Sequence, residues 1–144
     1  MRNSLQKRTW AEVSLDNISH NYRAIRAALP EGCRFLGVVK ADAYGHGAIQ
    51  VSRKLEQLGA DYLAVSSLDE AMELRSAGIT MPLLILGHTP SEYTETLIDN
   101  DITQTVSCLA KAQEFSARAA ALGRQLRIHI KIDTGMSRLG FLCG

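Results

Sequence analysis

The chain has 144 residues, 46% of them hydrophobic and 22% charged, with 16 lysines and arginines against 15 aspartates and glutamates. It is long enough to bury a sizeable core and too apolar to be a disordered segment. A net charge of +1 leaves no electrostatic footprint for nucleic acid. The apolar run 81–86 falls far short of the roughly 20 residues that span a bilayer, so a membrane partner is not expected either.

Residues 1–8 are basic but precede no apolar signal core, which points to the cytoplasm. Cys33, Cys108 and Cys143 are odd in number and widely spaced. They suggest neither a disulfide framework nor a metal site and read as buried or incidental thiols.

Taken in chain order, residues 8–15 alternate Thr9, Ala11, Val13 and Leu15 with bulkier or more polar neighbours, the pattern of a half-buried strand. Asp16 then stands as a helix N-cap, and Ile18, Tyr22, Ile25 and Leu29 form an apolar stripe that ends at Pro30 and Gly32. From Arg34 onward short β-rich runs alternate with helical stretches. The runs cover residues 35–40, 62–66, 83–86, 102–106 and 126–132.

Gly59, Gly78 and Gly123 sit where helices should end, since glycine takes the left-handed C-cap conformation without steric cost. Ser67 and Glu70 have the spacing of a capping box, which starts a helix directly after a strand. Ala48, Val51, Leu55 and Leu58 supply the buried stripe of one helix, and Leu109, Phe115, Ala119 and Leu122 that of another.

Five parallel β/α units fit a small doubly wound sheet or part of an eight-stranded barrel. The last strand and its polar loop are followed by no covering helix, and a parallel sheet is normally buried on both faces. The expected fold is therefore α/β, a partial (β/α)8 barrel. Residues 1–15 form an amino-terminal strand extension, and residues 16–144 are the amino-terminal part of the barrel. Its uncovered apolar surface predicts self-association or a completing partner.

The densest chemical signal is Val38-Val39-Lys40-Ala41-Asp42-Ala43-Tyr44-Gly45-His46-Gly47. A buried strand ends in a lysine, and in β/α folds the carboxyl ends of the strands form the mouth of the site. Desolvation favours the neutral amine of a lysine, the form that condenses with an aldehyde such as pyridoxal phosphate. The plain alternative is a lysine that snorkels to solvent from a strand end.

The second signal is the stretch from Leu126 to Gly140. Period two places Leu126, Ile128, Ile130 and Ile132 on one face and Arg127, His129, Lys131 and Asp133 on the other. In a barrel strand the apolar face meets the helices and the charged one the interior. An amphipathic strand with a solvated side accounts for the same pattern.

The motif Val39-Lys40-Ala41-Asp42-Ala43-Tyr44-Gly45-His46-Gly47 resembles the cofactor-lysine motif of bacterial alanine racemases. Lys131-Ile132-Asp133-Thr134-Gly135-Met136-Ser137-Arg138-Leu139-Gly140 resembles their mid-barrel motif, in the family's order and at about its spacing. Thr9-Trp10-Ala11-Glu12-Val13 with His20-Asn21-Tyr22 is similar to the family's opening, so the likeness covers nearly the whole chain.

The resemblance implies a pyridoxal-phosphate enzyme that interconverts L- and D-alanine and supplies D-alanine for the cell wall as a cytoplasmic homodimer. It implies that Lys40 holds the cofactor and moves the α-proton on the D-amino-acid face, and that Tyr44 hydrogen-bonds the phosphate. Arg138 is implied to reach the cofactor's phenolic oxygen and the substrate carboxylate, a task suited to a planar guanidinium. The resemblance also implies that Met136 lines the carboxylate pocket and that Lys131 is an N6-carboxylysine, a carbamate that holds Arg138.

By the same resemblance Leu86 lines the interior, with plain core filling as the alternative, while Asp42, His46 and His129 are loop or supporting positions; no metal is implied. The family's opposite-face tyrosine and an arginine to the pyridine nitrogen lie outside this sequence, so these residues alone are expected to be inactive. Serine or lysine racemisation, a decarboxylase of the same fold and a non-catalytic cofactor-homeostasis protein are the rival readings.

Overall fold

A computed structural model describes residues 9–142 of the chain. Helix α1 (Leu15–Ala28) starts at a cap supplied by Ser14, whose hydroxyl accepts from Asn17 N at 3.2 Å. The cap is therefore Ser14 and not Asp16, which lies in the first turn where a carboxylate complements the helix dipole.

Residues 9–14 form no strand, and Leu15 is already helical. A strand exists only through pairing, and no described segment pairs with these residues; the rest of the expected extension, residues 1–8, lies outside the described residues. Of the α1 stripe, Tyr22 is buried and meets Phe35 edge-on at 4.9 Å between ring centroids, whereas Ile25 is half exposed.

Strands β1 (Leu36–Val38), β2 (Tyr62–Val65), β3 (Leu83–Ile85), β4 (Ile102–Val106) and β5 (Ile128–Ile130) form one parallel sheet in the order β1-β2-β3-β4-β5. Each strand lies beside its predecessor, so the strand order nowhere reverses. A doubly wound sheet requires such a reversal, and the fold is accordingly the singly wound wall of a barrel.

Curvature is visible in side chains that meet across intervening strands. The hydroxyl of Tyr62 on β2 lies 2.5 Å from Thr103 Oγ1 on β4, and the Tyr62 ring is 5.9 Å from that of His129 on β5. Three strand spacings measure roughly 14 Å along a sheet, which only a curled sheet brings into ring contact.

The crossovers carry α2 (Lys40–Gly45), α3 (Ala48–Gln57), α4 (Leu68–Ser76), the 3-10 turn Ser91–Tyr93 with α5 (Thr94–Asp99), and α6 (Leu109–Ala121). Glycines 59, 78 and 123 follow α3, α4 and α6 with φ of +78°, +83° and +63°, as their C-cap role requires. The core lies between the convex face of the sheet and these helices. Leu63, Val65, Leu83, Ile85, Ile102 and Val106 are fully buried there against Leu55, Leu74, Leu97 and Phe115.

Beneath the sheet, at the amino ends of the strands, the Arg75 guanidinium donates to the carbonyls of Ile79, Met81, Asn100 and Asp101 at 2.8 to 3.1 Å. This ties together the entries to β3 and β4. The opposite end of the sheet is left free for chemistry.

Several expectations are revised. The strand expected over 126–132 is broken into β5 and β6 (Ile132–Asp133), because Lys131 N donates to Val106 O while Lys131 O accepts from Phe141 N; β6 then pairs in parallel with β7 (Phe141–Leu142). Leu109, the first residue of α6, and Leu122, just past its end, are exposed, so the buried stripe of that helix reduces to Phe115 and Ala119. Ile130 is 64% exposed because no helix follows β5 among the described residues. Of the two readings of the cysteines, buried or incidental, the second holds for Cys33 and Cys108, which are free thiols on the surface; Cys143 lies outside the described residues.

Candidate active site

The carboxyl ends of the strands gather the residues singled out by the sequence. Val39, directly after β1, is buried and donates to Ala64 O at 2.8 Å, which fixes the strand tip from which half-buried Lys40 projects. The chain then turns in the opposite hand to an ordinary helix. Ala41, Asp42, Ala43 and Tyr44 have φ between +50° and +54° and ψ between +39° and +52°, a full left-handed turn made without glycine.

For L-residues that conformation costs roughly 1–2 kcal/mol per residue, so about 4–8 kcal/mol must be offset by the surroundings. Several hydrogen bonds do so. Glu70 Oε1 accepts from Ala41 N at 2.8 Å, Asp42 Oδ1 accepts from Ala48 N at 2.7 Å, and Asp42 O accepts from Gly47 N at 3.0 Å. His46 Nδ1 lies 2.9 Å from Ala43 O, and the Ala43 methyl is buried in the core. Asp42 and His46 are thus structural supports, and Asp42 also supplies the side-chain acceptor at the start of α3.

Of the capping box expected between Ser67 and Glu70, half forms, as Ser67 Oγ accepts from Glu70 N at 3.4 Å. The glutamate carboxylate itself goes elsewhere, accepting from Ser66 N at 2.7 Å and Ser66 Oγ at 2.8 Å in addition to Ala41 N. Burial by itself raises the carboxyl pKa, but the donors from Ser66, Ala41 and Ser67 outweigh it and hold the group below the usual carboxylate range.

On the far edge of the sheet the His129 ring lies beside that of Tyr62. Lys131 lines a hollow with Leu84, Leu86, Thr105, His129 and Ile130. The loop after β6 is shaped by Asp133, whose Oδ1 accepts from Ser137 N at 2.9 Å and Gly135 N at 3.0 Å. These bonds hold its carboxyl below the usual range, aided by the nearby positive charge of Lys131.

Ser137 takes φ +56°, and the loop exposes Met136 and Arg138. Gly140, at φ +131°, packs its α-carbon against the β6 backbone; a Cβ there would lie 2.6 Å from Asp133 N.

The described residues therefore place the candidates at one end of the sheet but on its two edges. Lys40 and exposed Tyr44 follow β1, whereas Lys131, Met136 and Arg138 follow β5 and β6. Four strand spacings, roughly 19 Å along the sheet, separate them, and the curl of the sheet turns the two edges toward each other. Sequence reasoning misses the link from Glu70 to Ala41 and the role of Tyr62 as interior filler. The first has no signal, because a contact between residues 29 apart is fixed by how two β/α units pack. The second has no clear signal either, because β2 is apolar throughout and its pattern does not say which face is the interior.

A family model described as "Alanine racemase, N-terminal domain" matches residues 13–143. The alanine racemase of Desulfosudis oleivorans is 47% identical over 131 residues, which are 91% of this chain and 34% of the relative. That of Clostridium perfringens SM101 is 50% identical over 133 residues, 92% of this chain and 34% of the relative.

Among solved structures, the alanine racemase of Clostridium difficile 630 superposes with a TM-score of 0.89 at 47% identity, covering 96% of this chain and 37% of its own. A histidine racemase from Leuconostoc mesenteroides superposes with a TM-score of 0.84 at 27% identity, covering 97% of this chain and 37% of its own. The chain spans about a third of the length of the curated relatives it matches.

Proposed function

The chain belongs to the alanine racemase family, in the part described by its N-terminal domain, and we propose that the intact protein interconverts L- and D-alanine with pyridoxal phosphate held by Lys40. The observation that carries this reading is the placement of Lys40 at the carboxyl tip of β1, on a left-handed turn braced by Glu70 and Asp42.

The residues present suit the cofactor. An amine stands at the mouth of the curled sheet, a phenol follows four residues later, and a guanidinium lies on the opposite edge. These are the groups that an aldehyde, a phosphate and a phenolate respectively require. When bound, pyridoxal phosphate supplies that aldehyde and a ring that withdraws electrons from the substrate α-carbon.

Lys40 would then take up or return a proton at that carbon on the D-amino-acid side. The Tyr44 hydroxyl would hold the phosphate, and Arg138 would hold the phenolic oxygen and the substrate carboxylate beside Met136. Lys131, if its neutral amine adds carbon dioxide and releases a proton to become a carbamate, would give Arg138 an anion to lean on.

In the intact protein residues 9–14, which pair with no described segment, join as a strand a β domain supplied by the remaining two thirds of the intact sequence, and the β/α units from α1 onward form the first part of the barrel. A second subunit contributes the opposite-face base, so the working form is a cytoplasmic homodimer that supplies D-alanine for the cell wall. No helix among the described residues is long and apolar enough to cross a membrane.

The decisive experiment uses the complete protein. Lys40→Ala is expected to abolish covalent cofactor retention after borohydride reduction and to lower alanine racemisation by at least about 10³-fold. Retained covalent cofactor in that variant overturns the assignment. The likeness to a histidine racemase at 27% identity favours one rival, a racemase of the same chemistry with another substrate. A panel of L-amino acids decides between them, with alanine expected to give the highest kcat/KM.

A further inference from the structure

Glu70 sits in the first turn of α4, yet its carboxylate spans two strand ends. Oε2 serves Ser66 at the end of β2, and Oε1 serves the N–H of Ala41, the residue after Lys40. Anchoring α4 to β2 needs only the Ser66 contacts. Ala41 is exposed, so water could satisfy its N–H and no burial penalty calls for a partner. What a fixed anionic acceptor adds at that point is direction.

The Ala41 N–H belongs to the peptide plane shared with Lys40. Holding that plane fixes the backbone of Lys40 as the chain enters four left-handed residues that alanine and tyrosine do not adopt unaided.

We propose that Glu70 is a positioning residue for Lys40: by holding the Ala41 N–H it sets the left-handed turn and, through it, the direction in which the Lys40 amine meets cofactor and substrate. The inference rests on Lys40 being the cofactor lysine, as proposed above.

The test compares Glu70→Gln, Glu70→Asp and Ser66→Ala in the complete protein. Glutamine presents an NH2 group to one of the two donors. Aspartate keeps the charge and its near neighbour Ser66 but is one methylene too short to reach Ala41 as well. In cofactor-free protein, amide exchange at Ala41 is expected to quicken at least roughly tenfold in both Glu70 variants while the β2 amides of Leu63 and Val65 stay unchanged. In cofactor-loaded protein, kcat is expected to fall about 10- to 100-fold with KM within about threefold, and the pH at which the visible band of bound cofactor changes is expected to shift.

Ser66→Ala, which leaves the Ala41 bond in place, is expected to change these quantities less than about threefold. Adding Ala41→Gly to Glu70→Gln should restore part of kcat, because glycine enters the left-handed region without strain.

Should Glu70→Gln not fold, Glu70→Asp carries the test alone. Unchanged Ala41 exchange, unchanged kcat, or a full loss reproduced by Ser66→Ala overturns the proposal. Failure of the racemase reading shows separately, as Lys40→Ala that keeps its covalent cofactor.

Discussion

Asp133 turns one carboxylate oxygen toward two backbone N–H groups, and Glu56 does the same elsewhere, accepting from Thr80 N, Thr80 Oγ1 and Met81 N at 2.9 to 3.0 Å. At Glu56 burial opposes ionisation, but the Thr80 and Met81 donors and the charge of Arg75 prevail and lower its pKa; at Asp133 the Ser137 and Gly135 donors do so. A carboxyl whose folded-state pKa lies below its unfolded one stabilises fully above the unfolded value, near ~4, and loses that contribution as pH falls through the folded value. For the complete protein, Glu56→Gln is therefore expected to cost about 1 kcal/mol at pH 7 in denaturant unfolding and progressively less below about pH 4. By the same sign, exchange protection of the Gly135 and Ser137 amides should be full near neutral pH and decline in acid. Asp133→Ala should remove it at every pH, and a loss of protection only in alkali would contradict this account. These single-residue anchors are hidden in the sequence, where Glu56 and Asp133 look like any other charged positions.

Among the elements, strand β4 (Ile102–Val106) coincides with the residues its pattern marks out, and β2 and β3 fall within one residue of theirs. β2 and β3 are apolar throughout, and β4 is marked instead by its β-branched residues. The run expected over 35–40 shortens to β1, so that Lys40 lies two residues past the strand and opens the turn. The left-handed turn after Lys40 is the opposite case. Positive φ is signalled by glycine or asparagine, whereas Ala41, Ala43 and Tyr44 carry right-handed preferences, so the turn exists only because packing and hydrogen bonds impose it. Relieving one strained residue should then stabilise the protein: Ala41→Gly is expected to raise Tm by a few degrees, equivalent to about 1 kcal/mol after glycine's added unfolded-state entropy is deducted. Gly140 reverses the logic. Its φ of +131° and the 2.6 Å that would separate an added Cβ from Asp133 N leave no room for a side chain. Gly140→Ala should push the loop off β6, lowering kcat through Arg138 while far-ultraviolet circular dichroism stays unchanged, and a variant of full activity would refute the proposed place of Arg138.

For the molecule as a whole, the strand order β1-β2-β3-β4-β5 and the contacts from Tyr62 to Thr103 and His129 make the sheet a curled wall with two edges. Leu36 and Val38 at one edge and Ile128, Ile130 and Ile132 at the other are 38% to 64% exposed, and apolar edges with unpaired backbone groups invite further strands. The 144-residue chain by itself is expected to self-associate, which sedimentation in dilute buffer would read as a mass above that of one chain; a stable monomer would count against it. The sequence alone determined the succession of β/α units, the caps after α3, α4 and α6, and the placing of Lys40 at a strand tip, because these depend on period, glycine and the short-range geometry of neighbouring residues. Only the tertiary structure decided the hand of the turn beyond Lys40, the diversion of Glu70 from its cap to Ala41 and the break at Lys131. These are settled by hydrogen bonds between separate segments of the chain, whereas the choice of Ser14 over Asp16 as cap is a local one that composition leaves open.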